Sequence, residues 1–203
     1  MSVYSFLKGV VKPIIKLIFP KQIIFGMENV PNNKGFRLCC NHTHFMDVAF
    51  LIPNFKRKIN FMAKKELFKN KLIGKLFLKM GAFPVDRGSG SGAASAIKTG
   101  EEIVNRGEIL GIFPEGTRSK DGKPKKAKSG VAIIAYETKA PILPVSIYYE
   151  GKLKLFKKIS IRIGEMIYPN ELNMQSLDRG ELKRVSSYIM DKITKQWEEG
   201  HCK

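Results

Sequence analysis

Residues 39–47 read CCNHTHFMD, placing two thiols, two imidazoles and a carboxylate within nine positions. Three chemistries are open to such a cluster: metal ligation, a structural histidine, or a histidine–carboxylate pair for proton transfer. Zinc needs about four ligands in a tetrahedron. If residues 36–40 form a strand, Cys39 and Cys40 point to opposite faces, so only one can join His42 or His44. The remaining thiol and imidazole, Cys202 and His201, lie by the chain end, where order is commonly lost. For proton transfer, the strand delivers Asn41-His42 into a tight turn, a helix starts near Met46, and Asp47 in its first turn reaches back to His42. A carboxylate there orients one ring nitrogen and stabilises the imidazolium, leaving the other nitrogen for a substrate proton. No GxSxG serine or reactive cysteine is near, which points to direct transfer with the substrate as nucleophile. Ser119 and Ser129 lack an elbow motif.

A second cluster supplies what a base alone lacks. The stretch ILGIFPEGTRSKDGKPKKAKSG, residues 109–130, reads as a buried strand, a turn at Pro114-Glu115-Gly116 and a basic loop. Thr117 and Arg118 at a strand's end can offer a hydroxyl, backbone N–H groups and a guanidinium fork to a phosphate. Glu115 can steady Arg118 or bind substrate hydroxyls. The same residues also fit a plain β-turn followed by a solvated charge run. A third arginine, Arg87 in GAFPVDRG, again follows a short strand.

These clusters need a scaffold, and the chain alternates strand-like and helix-like segments as an α/β domain does. Strands are predicted at 36–40, 60–63, 82–85, 109–113, 142–149 and 159–163. Helices are predicted at about 46–52, 65–80, 92–106, 128–138 and 180–199, the last with Leu182, Val185, Ile189, Ile193 and Trp197 on one core-facing stripe. GSGSG at 88–92 loosely matches a nucleotide-binding glycine fingerprint. It lacks that fingerprint's first βα turn, and no GK[ST] follows; a flexible loop entering a helix is the better reading.

The N-terminal stretch MSVYSFLKGVVKPIIKLIFP sets lysines 8, 12 and 16 on one ridge, opposite Leu7, Val10, Val11, Ile14, Ile15 and Ile18. No uninterrupted run in it approaches the roughly 20 apolar residues that span a bilayer, no compact apolar region precedes a small-residue cleavage site, and Pro13 is expected to kink or divide it. Two readings fit: a helix lying in a membrane interface, or one docked on the domain's own core. At about 1.5–3 kcal/mol per side chain, these six apolar residues set a gross ceiling of ~10–18 kcal/mol for lipid burial.

Charge narrows the partners. The 203 residues carry 36 Lys+Arg against 18 Asp+Glu, a formal +18, while 43% hydrophobic content describes a folded protein. Nucleic acid, anionic lipid, phosphorylated substrates and acidic carrier proteins are all permitted. A nucleic-acid module is disfavoured, since no RNP, KH or zinc-finger motif is present and the lysines accompany aliphatic side chains. Between Lys56 and Lys79, nine basic residues and one acid alternate with Leu67, Phe68, Leu72, Leu76 and Phe77. That segment fits either an anionic lipid surface or a core-packed helix with a solvated lysine face. Three cysteines make no disulfide framework and suit a reducing compartment.

Taken together, the blocks resemble the glycerolipid acyltransferases. NHTHFMD is similar to their NHxxxxD block and FPEGTRS matches theirs unchanged; FMAKKELFKNKLIGKLFLKMGAFPVDRG and PILPVSI resemble the intervening and later blocks, in order, over about residues 22–167. His44 departs from the serine common in the family. The resemblance implies a mixed central sheet flanked by helices in an acyltransferase domain over residues 21–203, and residues 1–20, by their own pattern, are read as an amphipathic membrane-interface helix. It further implies, most closely for the bacterial group acting on lysophosphatidic acid, transfer of an acyl chain from acyl-CoA or acyl carrier protein to the sn-2 hydroxyl, at the cytoplasmic face of the membrane. Glycerol-3-phosphate or another lysolipid is the alternative acceptor. By the same resemblance His42 is the base and Asp47 its orienting partner. Lys64, Arg87 and Arg118 bind phosphate, and Glu115, Gly116 and Thr117 shape the glycerol site. No metal or redox cofactor is required.

Overall fold

The chain's apolar runs assemble side by side. In the computed structural model, which describes residues 3–86 and 90–200, seven strands form one sheet in the order β1-β7-β6-β2-β5-β3-β4. They are β1 (Gln22–Phe25), β2 (Phe36–Cys40), β3 (Ile59–Lys64), β4 (Ala82–Val85), β5 (Ile109–Ile112), β6 (Ile142–Tyr148) and β7 (Ile159–Ile163). Strand β2 is central, pairing with β5 and β6, and all five of its residues are buried. Continuous burial of this kind belongs to parallel strands covered on both faces. Every pairing is parallel except β6 with β7, which is antiparallel. The sheet is therefore mixed, as expected.

Helices cover both faces. Helices α1 (Val3–Ile18) and α2 (Asp47–Leu51) close one side, where Ile15, Phe19 and Phe50 meet Phe36, Leu38 and Cys40. Helices α4 (Gly90–Asn105), α5 (Gly130–Thr138) and α7 (Arg179–Glu199) close the other, over Cys39, Leu110 and Ile112. The predicted stripe on α7 lies in that core, with Val185, Ile189, Ile193 and Trp197 buried. Helix α3 (Lys71–Lys79) precedes β4, and the single turn α6 (Pro169–Leu172) precedes α7.

Four expectations need correction. Strand β1 is not predicted: only two of its four residues are even partly buried, so its pattern is too short to stand out. The helix predicted over 65–80 is two pieces, a 3₁₀ turn at Lys65–Phe68 and then α3, because the Asn70 side chain accepts the N–H groups of Leu72 and Ile73 and starts a new helix. Pro13 does not divide α1 into two elements. The apolar face of α1 also splits in two. Val11, Ile15 and Ile18 turn toward the core, while Val3, Phe6, Val10, Ile14 and Leu17 are exposed, and Lys8 points inward to the Phe55 carbonyl. Of the six side chains assigned to lipid burial, only Val10 and Ile14 are exposed, so the ceiling above is too high. The stretch GSGSG enters α4 at Gly90; Arg87 and the two residues after it lie outside the described residues, as do His201 and Cys202.

Candidate active site

Strand β2 ends at Cys40, and the next residue fixes the turn. Asn41 is fully buried and clasps the backbone of Ile147 on β6: its Nδ2 donates to the Ile147 carbonyl at 3.0 Å, and its Oδ1 accepts the Ile147 N–H at 2.8 Å. Both ends of one amide are satisfied by one residue, so the β2 terminus has a single permitted position.

His42 follows. Its Nδ1 lies 2.8 Å from Asp47 Oδ2, and that oxygen also accepts the backbone N–H groups of Thr43 (2.8 Å) and His44 (2.9 Å). A carboxylate oxygen only accepts, so in the neutral imidazole the hydrogen belongs on Nδ1 and the lone pair on Nε2. Asp47 is 0% exposed and His42 18%, so the carboxylate is shielded while the imidazole reaches the surface. The ring stacks on Phe113 with centroids 4.0 Å apart and planes 17° from parallel, and Phe113 stacks in turn on Phe61 at 5.5 Å. Hydrogen bonding and stacking together leave the imidazole little freedom to rotate.

The FPEGTRS segment is tied to the same turn. Glu115 Oε1 accepts the His42 N–H at 2.7 Å, its Oε2 accepts the Lys125 N–H at 3.1 Å, and the Ser119 N–H donates to the His42 carbonyl at 2.7 Å. Burial pushes the Glu115 carboxyl up to about 7, against the downward pull of those two N–H groups. With both oxygens engaged by backbone, Glu115 braces the loop and does not present itself to a ligand. Gly116 turns the chain at φ +70°, beside the Lys128 side chain, a conformation that glycine adopts without strain. Thr117 and Arg118 beyond it are exposed. Arg118 lies near enough to His44 for its charge to oppose protonation there; burial lowers the His44 imidazole first, with Asp47 pulling the other way.

Lys64 ends β3 and is exposed, with Nζ 3.3 Å from Glu66 Oε1. Arg87 lies outside the described residues. The structure thus brings His42, Asp47, Glu115 and Gly116 into one hydrogen-bonded assembly, sets Thr117 and Arg118 at its mouth, and places Lys64 at the end of a strand on the same sheet edge. Sequence reading passes over Phe113 and Tyr149, whose hydroxyl lies 2.8 Å from Thr43 Oγ1, and misses the bracing parts that Asn41 and Ser119 play. Their contacts join residues far apart in the chain, and no local pattern reports them.

Among the described residues, no group of three or more His, Cys, Asp or Glu side chains is arranged to hold a metal ion. Cys39 and Cys40 face opposite sides of the sheet, and burial pushes both thiols up, Cys39 to about 12. They are inert hydrophobic fillers at neutral pH. What the turn can do is accept a proton at Nε2 and hold the resulting cation against Asp47.

Comparison with known proteins gives the family. The family model described as Acyltransferase matches residues 22–148. A 1-acyl-sn-glycerol-3-phosphate acyltransferase of Bacillus subtilis is 39% identical over 171 residues, covering 81% of this chain and 82% of its own. The protein of the same name from Streptococcus pneumoniae is 31% identical, covering 96% of this chain and 75% of its own. In fold, the chain is similar to the crystal structure of the 1-acyl-sn-glycerophosphate acyltransferase of Thermotoga maritima, with a TM-score of 0.74 at 23% identity over 98% of this chain and 82% of that one. A family match over most of the chain, reaching through both motif-bearing turns, leads to one conclusion: this chain belongs to the acyltransferase family.

Proposed function

We propose that this enzyme transfers an acyl group from a thioester, acyl-CoA or acyl carrier protein, to the sn-2 hydroxyl of 1-acylglycerol-3-phosphate, giving phosphatidic acid. The observation that carries the reading is the His42–Asp47 pair at 2.8 Å, tied through Glu115 to the FPEGTR turn, in a chain similar to relatives bearing that activity. His42 Nε2 removes the proton from the acceptor hydroxyl as its oxygen bonds to the thioester carbonyl carbon. The tetrahedral intermediate then expels the thiol by breaking the C–S bond, and the imidazolium returns the proton to sulfur. A thiol of pKa near ~8.5 needs little help to leave. Asp47 holds the ring through both steps.

Lys64, Arg87 and Arg118 are assigned to the acceptor phosphate. Gly116 and Thr117 line the glycerol site, and Glu115 shapes it from behind. Membrane attachment at the cytoplasmic face is part of the same reading. The exposed row of α1 and the exposed Leu72, Ile73, Leu76 and Leu78 of α3, set among lysines, support it. No described helix is long and apolar enough to cross a membrane. In that frame residues 1–20 serve as an interfacial segment with an inner face on the core, and residues 21–203 as the acyltransferase domain.

The test is thioester consumption by the purified chain in anionic vesicles, offering both donors and comparing 1-acylglycerol-3-phosphate with glycerol-3-phosphate and other lysolipids. Phosphatidic acid from wild type and none from folded His42→Ala supports the reading; retained activity in that variant removes the base. Turnover of only another acceptor would keep the chemistry and replace the substrate. Arg118→Ala raises KM for the acceptor if Arg118 binds phosphate, and an unchanged KM takes that role away.

A further inference from the structure

The segment after β6 has a feature that neither the core nor the catalytic turn accounts for. Residues 151–158 read GKLKLFKK, and Leu155 and Phe156 at their tip are 67% and 64% exposed. Phe156 stands at φ +62°, a conformation in which a bulky side chain is an outlier. Leu153, two residues before Leu155, turns inward onto the core. A loop that only had to connect two strands would gain by hiding Phe156 or by replacing it with glycine or asparagine.

Three contacts hold the loop. The Phe156 N–H donates to the Ile18 carbonyl at 2.9 Å, at the end of α1, and the Ile159 N–H donates to the Lys21 carbonyl, also at 2.9 Å. At its start the Tyr149 hydroxyl meets Thr43 Oγ1, next to His42. The tip is therefore fastened to the end of α1, where Leu17 is 76% exposed, while the root touches the catalytic turn. Lysines flank it in the chain, Lys152, Lys154, Lys157 and Lys158, and Lys16 lies two residues before Ile18, to whose carbonyl the tip is bonded. An apolar tip in a lysine-rich segment matches one surface, an acyl layer under anionic headgroups.

We propose that Leu155 and Phe156, with Leu17, form a wedge that inserts into an anionic bilayer and turns the rim carrying His42 toward the lipid. The proposal rests on the membrane-bound reading above and adds to it a second, non-helical anchor built into the catalytic domain. The exposed row of α1 runs into the wedge at Leu17, so the two surfaces are continuous.

The full chain is tested on vesicles of phosphatidylglycerol and phosphatidylcholine. Leu155→Gln with Phe156→Asn removes the apolar tip and keeps a residue that tolerates positive φ, so the thermal midpoint is expected to hold. Vesicle affinity is expected to fall at least about tenfold, the scale set by burying two such side chains, while binding of wild type weakens with salt. In a separate chain, Phe156→Trp is expected to give blue-shifted emission on vesicles, quenched by brominated acyl chains. If the double variant binds as tightly as wild type while Phe6→Gln with Val10→Gln releases the protein, the membrane reading stands and the wedge is overturned. If wild type binds no vesicles, the membrane reading itself fails and takes the wedge with it. If the double variant instead dissolves a dimer in solution and leaves vesicle binding unchanged, the tip is a contact between two copies and the proposal is wrong.

Discussion

Gly111 on β5 gives the Phe61 ring of β3 its place: a Cβ at position 111 would stand 2.4 Å from that ring. The ring so admitted supports Phe113, and Phe113 supports the His42 imidazole. A missing side chain in the sheet thus fixes the orientation of a base on the rim. Gly111→Ala is expected to displace Phe61, lowering stability by about 1–3 kcal/mol as overpacking does. Its kcat is expected to fall more than its acceptor KM rises. Denaturant midpoints and steady-state kinetics check both; unchanged kcat in a destabilised variant would show that the stack does not position His42.

Asp47 collects three donors on one oxygen, and only one of them comes from the imidazole. In Asp47→Asn a neutral oxygen can still receive the two backbone N–H groups, so the turn is expected to survive while imidazolium loses its counter-charge. Activity is expected to drop by about 10²–10⁴, the usual range for impaired acid–base catalysis, with circular dichroism unchanged. A loss under tenfold would reduce Asp47 to a loop-forming residue.

Asn41 has a structural task with a catalytic consequence. Replacement by Leu strands the Ile147 N–H and carbonyl inside the protein, at about 1–3 kcal/mol for each unsatisfied group. Asn41→Asp is expected to fail as well, because a carboxylate oxygen would then face that carbonyl. Thermal unfolding of both variants measures the effect, and a stability within about 0.5 kcal/mol of wild type would contradict the clasp.

Glu115 makes stability depend on pH in an unusual direction for a carboxyl group. Its folded value is raised to about 7 from 4.5, so the native state holds the proton where the unfolded chain has released it. The contribution is fully present below about pH 4.5 and is lost as pH rises through about 7. Wild-type Tm is therefore expected to fall relative to Glu115→Gln, which cannot ionise, across that window. Parallel Tm profiles for the two proteins would show that Glu115 titrates normally.

Much of this is legible in the chain itself, and the reason differs by element. Strands β2, β5, β6 and β7 are buried runs that read as mostly apolar sequence, unbroken in β5 and interrupted by Arg37, Ser146, Ser160 and Arg162 in the others. Asp47 falls near His42 because a helix begins at once, a local geometry that spacing can report. Helix α1 is harder, since its residues alternate between a core face and an outer face, and periodicity shows one stripe where two exist. Glu115 reads in FPEGTR as a partner for Arg118 or for substrate hydroxyls, yet its partners are backbone N–H groups that no sequence displays. Arg37 is more opaque still: a guanidinium in the central strand, fully buried, given to the Ala140 carbonyl, with burial lowering it to about 10.

The clasp between β2 and β6 also bears on how the enzyme is made. Asn41 waits for Ile147, 106 residues further on, and His42 waits for Glu115, 73 residues further on. Pairings at such separation close late, after the intervening chain has paid its loop entropy. A nascent chain emerging from its N-terminus displays both reactive motifs before β6 exists to order the first of them. Catalytic competence is therefore a property of the finished sheet: a chain halted before residue 141 carries NHTHFMD and FPEGTRS intact, and is expected to leave thioesters untouched.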